Sequence, residues 1–195
     1  MNRYGKVGIV LVSILAVCLI IGIGVFKWYT ANYDKAAILD ETVKQAWSDV
    51  EAQLQRRFDL VSSLVSTVKG YATHEKELFE SLAKSREKYF QGKTPKDKIA
   101  ASNQFSGLLS RLLVLQENYP QLKANQGFLD LQAQLEGTEN RIAVARTRYN
   151  AIVTKLNSYR RSFFGRYFCD KHNIEPAVPF KASEQAKTQV PKVKF

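Results

Sequence analysis

Residues 128–159 read FLDLQAQLEGTENRIAVARTRYNAIVTKLNSY. Phe128, Leu131, Leu135, Thr138, Ile142, Ala145, Tyr149, Ile152, Leu156 and Tyr159 recur at alternating spacings of three and four, with no proline among them. A helix with that period carries one apolar stripe, the pattern that packs helices side by side with left-handed supercoiling. Glu139 and Arg146 fall on one flank of the stripe, and Arg141, Arg148 and Lys155 on the other. Those flanks are where paired helices place the charges that set partner and register. The stretch reads as a packed helix with charged shoulders, and the fold as all-α.

A second stripe precedes it. Val43, Trp47, Val50, Leu54, Val61, Leu64, Val68 and Tyr71 repeat the same spacings, and no proline lies between Tyr33 and Gln91. One helix over 33–91 is predicted, about 80–90 Å long, with Gly70 as the place where it would bend or break. Trp47 and Tyr71 sit on the stripe and read as core aromatics rather than ligand stackers. Thr94 is a helix N-cap with Pro95 in the first turn, so a second helix is expected over 95–118, closed by Tyr119-Pro120. Asn125 caps the third helix, over 126–162. The expectation is an antiparallel three- to four-helix bundle of long helices with coiled-coil-like packing, occupying residues 29–162. In the three-helix order the third helix finishes far from the chain's start.

One polar residue interrupts the first stripe. Between Leu54 and Val61 the slot falls to Arg57. A guanidinium facing a core is costly unless paired. Glu136 and Glu139 are the expected partners, Asn140 can add a hydrogen bond, and Arg146 lies on the same flank. The alternatives are that Arg57 extends its stem to solvent or that Phe58 fills the slot.

The chain's first residues are of another kind. Val7 to Phe26, VGIVLVSILAVCLIIGIGVF, holds twenty residues without a charge, the length a helix needs to cross a bilayer. Lys27, Trp28 and Tyr29 follow, a cation and amphipathic rings suited to a headgroup boundary. The run is too long for a cleaved signal peptide and has no small-x-small cleavage site. Val17 before Cys18 departs from a lipoprotein signal. A short tail at 1–6 and an uncleaved transmembrane helix at 7–28 are expected, with the bilayer as first partner.

The net charge of +11 is unevenly spread. Residues 1–35 carry four basic and one acidic residue, residues 160–195 eight and three, and the middle seventeen and fourteen. Excess cation at the ends, with no nucleic-acid-reading motif, argues against a nucleic-acid partner. Two isolated cysteines, Cys18 and Cys169, imply no disulfide framework. No metal-ligand spacing occurs. His74-Glu75 opens like a zinc-protease motif, but Leu78 stands where its second histidine belongs. No catalytic, cofactor-binding or metal site is expected.

Past 162 the character changes again. FFGRYF (163–168) sets aromatic residues around Gly165 and Arg166, flanked by Arg160, Arg161 and Lys171, and the rest of 163–195 is rich in lysine and proline. The aromatic-basic segment is expected either in a membrane interface, with Trp28, Tyr29, Phe163, Phe164, Arg166 and Phe168 as its contacts, or as a cap on the bundle's open end. The tail is expected to lack regular structure.

The run LDETVKQAWSDVEAQLQRRFDLVSSLVSTVKGYATHEKE (39–77), with LSRLL (109–113), YPQLKAN (119–125), the stretch 128–150 and the terminal PKVKF, resembles the bacterial LemA family over nearly the whole chain. The resemblance implies a single-pass protein of the bacterial plasma membrane bearing an antiparallel helical bundle. Asp59-Leu60-Val61-Ser62-Ser63-Leu64 lacks the proline common in relatives, and Lys194 stands where an acid is common. The expected function is a non-enzymatic, self-assembling membrane scaffold or adaptor that docks an as yet unknown membrane protein. A regulatory or sensor subunit, and a lipid-surface binder acting through its basic termini, are the other classes the residues allow.

Overall fold

The computed structural model describes residues 3–181, with side chains from residue 11 onward. The described residues contain helices and no strand: α1 (Arg3–Lys69), α2 (Lys76–Gln91), α3 (Pro95–Val114), a 3₁₀ turn (Leu115–Glu117), α4 (Pro120–Lys123), α5 (Gln126–Arg161) and α6 (Phe163–Lys171). They form two compact units. Among the described residues, one joins 3–42 with Lys155–Pro176, and the other joins Val43–Thr154 with 177–181.

The helix expected over 33–91 is two helices. It breaks at 70–75, immediately after Lys69, where Tyr71 and Ala72 close the turn back onto the Val68 carbonyl. The break reverses the chain. In the larger unit Asp59 meets Arg86, and Lys69 lies near Phe79, so α2 runs antiparallel to α1. Ser85 bonds the Ala101 carbonyl, turning α3 back again, and Lys98 pairs with Glu51. The Trp47 ring meets that of Tyr149 at a tilt and Asn125 bonds the Tyr71 hydroxyl, which sets α5 antiparallel to α1. Four helical segments alternate in direction around one core.

The caps fall where the sequence puts them. Asp97 N–H donates to Thr94 Oγ1 at 3.2 Å with Pro95 behind it, and Phe128 N–H donates to Asn125 Oδ1 at 2.9 Å. α3 ends at Val114 rather than 118, because a 3₁₀ turn tightens its last residues before Pro120. Val50, Leu54, Val61, Leu64 and Val68 are buried from α1, as are Leu135, Ile142 and Tyr149 from α5. The α5 stripe steps from Tyr149 to Val153, so Ile152 is only half-buried. Trp47 is also half-buried and Tyr71 is 41% exposed, so neither is the fully enclosed core aromatic that the stripe predicts.

In the smaller unit the side chains from Leu11 to Trp28 are exposed on every side. This is one helix long and apolar enough to cross a membrane among the described residues. The expected tail at 1–6 is helical from Arg3. The C-terminal end of α5 packs on α1 here: Tyr159 Oη donates to the Asn32 carbonyl at 3.0 Å, and Lys35 lies 4.9 Å from the Tyr159 ring. The third long helix therefore does not finish away from the chain's start. The turn at 70–75 adds one reversal and brings it back.

The aromatic-basic segment forms α6 (Phe163–Lys171), which runs two residues into the tail expected from Asp170 to lack regular structure. Ser162 caps it, its Oγ accepting from Gly165 N–H at 3.1 Å. Gly165 is required there, since a Cβ would collide with the Tyr159 carbonyl. At the far end Asn173 adopts a left-handed φ of 54°, and the Ile174 N–H reaches the Cys169 carbonyl in a Schellman closure that buries Ile174.

Candidate functional site

Arg57 points into the core of the larger unit and is fully buried. Its Nη1 donates to Glu139 Oε1 at 3.3 Å and to Ser106 Oγ at 2.9 Å, while its Nη2 donates to Ser102 Oγ at 2.8 Å and to the Ser102 carbonyl at 3.3 Å. Phe58 and Phe105 flank the guanidinium at 5.6 and 5.3 Å. Of the expected partners only Glu139 pairs. Glu136 and Asn140 both lie further round the helix than Glu139, toward solvent, and are exposed, and Asn140 instead lines an open groove with Asp49, Gln53 and Arg148. Phe58 does not displace Arg57; both are buried. Ser102 and Ser106 went unrecognised in the sequence, although two serines four apart share a helix face and offer acceptors to a buried cation.

Arg146 joins the same cluster, donating to Ser102 Oγ at 3.4 Å. Two guanidiniums thus share the Ser102 hydroxyl, and Glu139 pairs directly with Arg57. Burial, then repulsion from Arg57, pushes the Arg146 pKa down to about 10, against the pull of Glu139. Burial likewise lowers that of Arg57, again against Glu139. Nε of both residues finds no hydrogen-bond acceptor among the described residues. The cluster ties α1, α3 and α5 together at one level and fixes their register.

Beyond Arg146 the chain's own later residues arrive. The Phe180 ring lies 4.0 Å from the Arg146 guanidinium. Asn150 Nδ2 donates to the Phe180 carbonyl at 2.8 Å, and Phe180 N–H donates to Asn150 Oδ1 at 2.7 Å. Tyr149 Oη donates to the Val178 carbonyl at 2.9 Å, and burial raises its pKa. No spacing in the sequence links Asn150 to Phe180. Their pairing comes from a non-helical strap laid along a helix, which periodicity does not register.

In the smaller unit the aromatic-basic surface is assembled beside the apolar run. Trp28 meets Phe164 edge-on at 4.9 Å, Tyr29 meets Phe168 at 5.3 Å, and Lys171 Nζ donates to Tyr29 Oη at 2.7 Å. That bond lowers the Tyr29 pKa and raises that of Lys171. Phe163 is 87% exposed, Phe164 52% and Tyr167 55%, with Arg161 and Arg166 exposed among them. Phe168, expected to face lipid, is buried beneath Trp28 and Tyr29 instead, because the helical turn puts it on the inner side of α6.

These features define a class: an all-helical protein in which a helix able to span a bilayer leads into an antiparallel bundle. A model of the LemA family matches residues 46–195, and the chain belongs to that family. It is 24% identical over 173 residues to "Protein LemA" of Metamycoplasma hominis, covering 88% of this chain and 79% of that relative. The terminal PKVKF that carries part of the resemblance lies outside the described residues.

Proposed function

We propose that the protein is a non-enzymatic scaffold, held by α1 in the bacterial plasma membrane as a single-pass protein, that assembles with copies of itself and docks a membrane protein. The observation that carries this reading is the pairing of an uncharged, all-round-exposed helix with the aromatic-basic face of α6 in one compact unit. Apolar surface that large in water is unfavourable, and lipid is the solvent that suits it. Exposed Phe163 and Phe164 beside Arg161 and Arg166 match the composition of a bilayer interface. The polar residues of the other unit support a structural role, since Arg57, Ser102, Ser106 and Glu139 are occupied in holding helices to one another.

Cross-linking in native membranes followed by detergent extraction and mass spectrometry tests the proposal. A ladder of self-products is the expected result. One dominant foreign partner without self-products would favour a regulatory subunit, and recovery in the soluble fraction would remove the membrane reading.

A further inference from the structure

The strap at 177–181 is bound as a peptide ligand is bound. One asparagine satisfies both backbone polar groups of Phe180, as a neighbouring β-strand would, and Tyr149 takes the Val178 carbonyl. Asn103 reaches the Lys181 carbonyl at 3.4 Å. Pro179 falls between the two gripped residues, where the missing N–H leaves nothing unpaired. Phe180 is 5% exposed with its ring against Arg146, so backbone contacts supply grip and the aromatic supplies selectivity.

We propose that this groove of α3 and α5 is a recognition site for an extended Val-Pro-Phe segment, and that its ligand in trans is the 177–181 strap of a second copy of this chain. Every copy carries the matching segment, so exchange replaces each contact with its equal and creates none that must be newly evolved. The strap is separable: it has no helix or strand, the two compact units divide between Pro176 and Ala177, and Glu175 and Pro176 before it are exposed. Three residues, Glu175 to Ala177, span about 10 Å when extended, so the receiving copy must stand alongside. The inference rests on the self-assembly reading for that arrangement: anchoring in one bilayer holds copies upright and raises their effective concentration. In cis the strap closes its own groove. In trans the same bonds join two bundles.

Complementation between full-length chains tests it. Asn150→Leu disables the groove and keeps the strap; Phe180→Ala disables the strap and keeps the groove. Each is given a different tag, both are reconstituted together in phosphatidylcholine–phosphatidylglycerol vesicles, solubilised in mild detergent and captured by one tag. The mixed pair should co-capture at least about five-fold more than either variant paired with Asn150→Leu/Phe180→Ala. Matched helical signal checks folding, and Asn150→Asp, which keeps the acceptor and loses the donor, replaces Asn150→Leu if that variant unfolds. Equal, strong co-capture by all pairs would overturn strap exchange while leaving self-assembly standing. No co-capture by any pair, the parent included, would overturn both.

Discussion

Arg57 Nη1 and Glu139 Oε1 meet at 3.3 Å although 82 residues of chain separate them, and the arginine is buried while the carboxylate is 42% exposed. The asymmetry decides what each substitution does. Glu139→Ala strands a buried guanidinium on serine oxygens and should cost about 1–3 kcal/mol, moderated because water reaches the carboxylate side. Arg57→Met removes the charge that needs the partner and should be close to neutral. The double variant should therefore be more stable than Glu139→Ala alone in urea denaturation. A double variant no better than Glu139→Ala would show that the pair does not hold α1 against α5.

The identity of this pair was legible because period and chemistry agreed: a seven-residue seam admitted one arginine, and the facing helix offered acids. The choice between Glu136 and Glu139 was not legible, since it depends on helix rotation that spacing leaves free by one position. The reversal at 70–75 was harder still. Gly70 marked the place and the polar run Thr73–Glu77 lies beside it, but no proline forced a break, and the return of α2 that sets Tyr89 against Phe58 is a long-range contact that no local spacing encodes. That one turn moved α6 from the far end of the chain's path to Trp28.

Trp47 illustrates the same gap between stripe and burial. A fully enclosed tryptophan truncated to alanine would cost about 3–5 kcal/mol. Trp47 is half-buried, its ring centroid 5.3 Å from that of Tyr149. Trp47→Ala should cost about 1–2 kcal/mol, most of it from the ring pair and the covered face. In a Trp28→Phe background its emission should lie between those of buried and free indole. A loss near the upper figure would mean that Trp47 is enclosed by another surface, such as a second copy.

Alkaline pH should weaken the bundle through its tyrosines. Burial raises the pKa of Tyr149, and burial reinforced by Glu51 raises that of Tyr89 more strongly. Unfolded tyrosines titrate near 10, so above that pH the unfolded chain holds fewer protons than the folded one and stability falls. The contribution is complete below pH 10 and lost as pH climbs through the folded values. Arg146 acts oppositely: its pKa of about 10 means the cost of burying its cation is relieved in the same window. Tyr89 Oη has no partner among the described residues, so Tyr89→Phe should preserve neutral stability and flatten the alkaline loss. Phenolate absorbance followed alongside helicity will show whether these rings ionise only on unfolding.

Gly165→Ala tests the coupling of α6 to the end of α5. Any Cβ at this position enters the Tyr159 carbonyl, and Ser162 Oγ is also within collision range. The first turn of α6 must shift, losing the cap bond from Gly165 N–H and withdrawing Phe164 and Phe168 from Trp28. The expected cost is about 1–3 kcal/mol, as for other overpacked sites. With Trp47→Phe leaving Trp28 as reporter, its emission should change while the larger unit's melting transition holds. Unchanged Trp28 emission would mean that α6 seats on Trp28 without this turn.

The outward face of α6 yields the sharpest test of the membrane reading. Phe163 and Phe164 flank exposed Arg161 and Arg166, and transferring one such ring from water to an apolar phase is worth about 1.5–3 kcal/mol. Phe90, 48% exposed in the larger unit, offers a solvent-accessible aromatic that the proposal leaves in water. With Cys18 and Cys169 replaced by serine, an environment-sensitive fluorophore on Phe163→Cys should shift blue in vesicles and be quenched by lipids spin-labelled near the headgroup. The same probe on Phe90→Cys should do neither. Quenching at both positions would mean that the bundle lies flat on the bilayer, and quenching at neither would leave α6 as a cap for the helix ends.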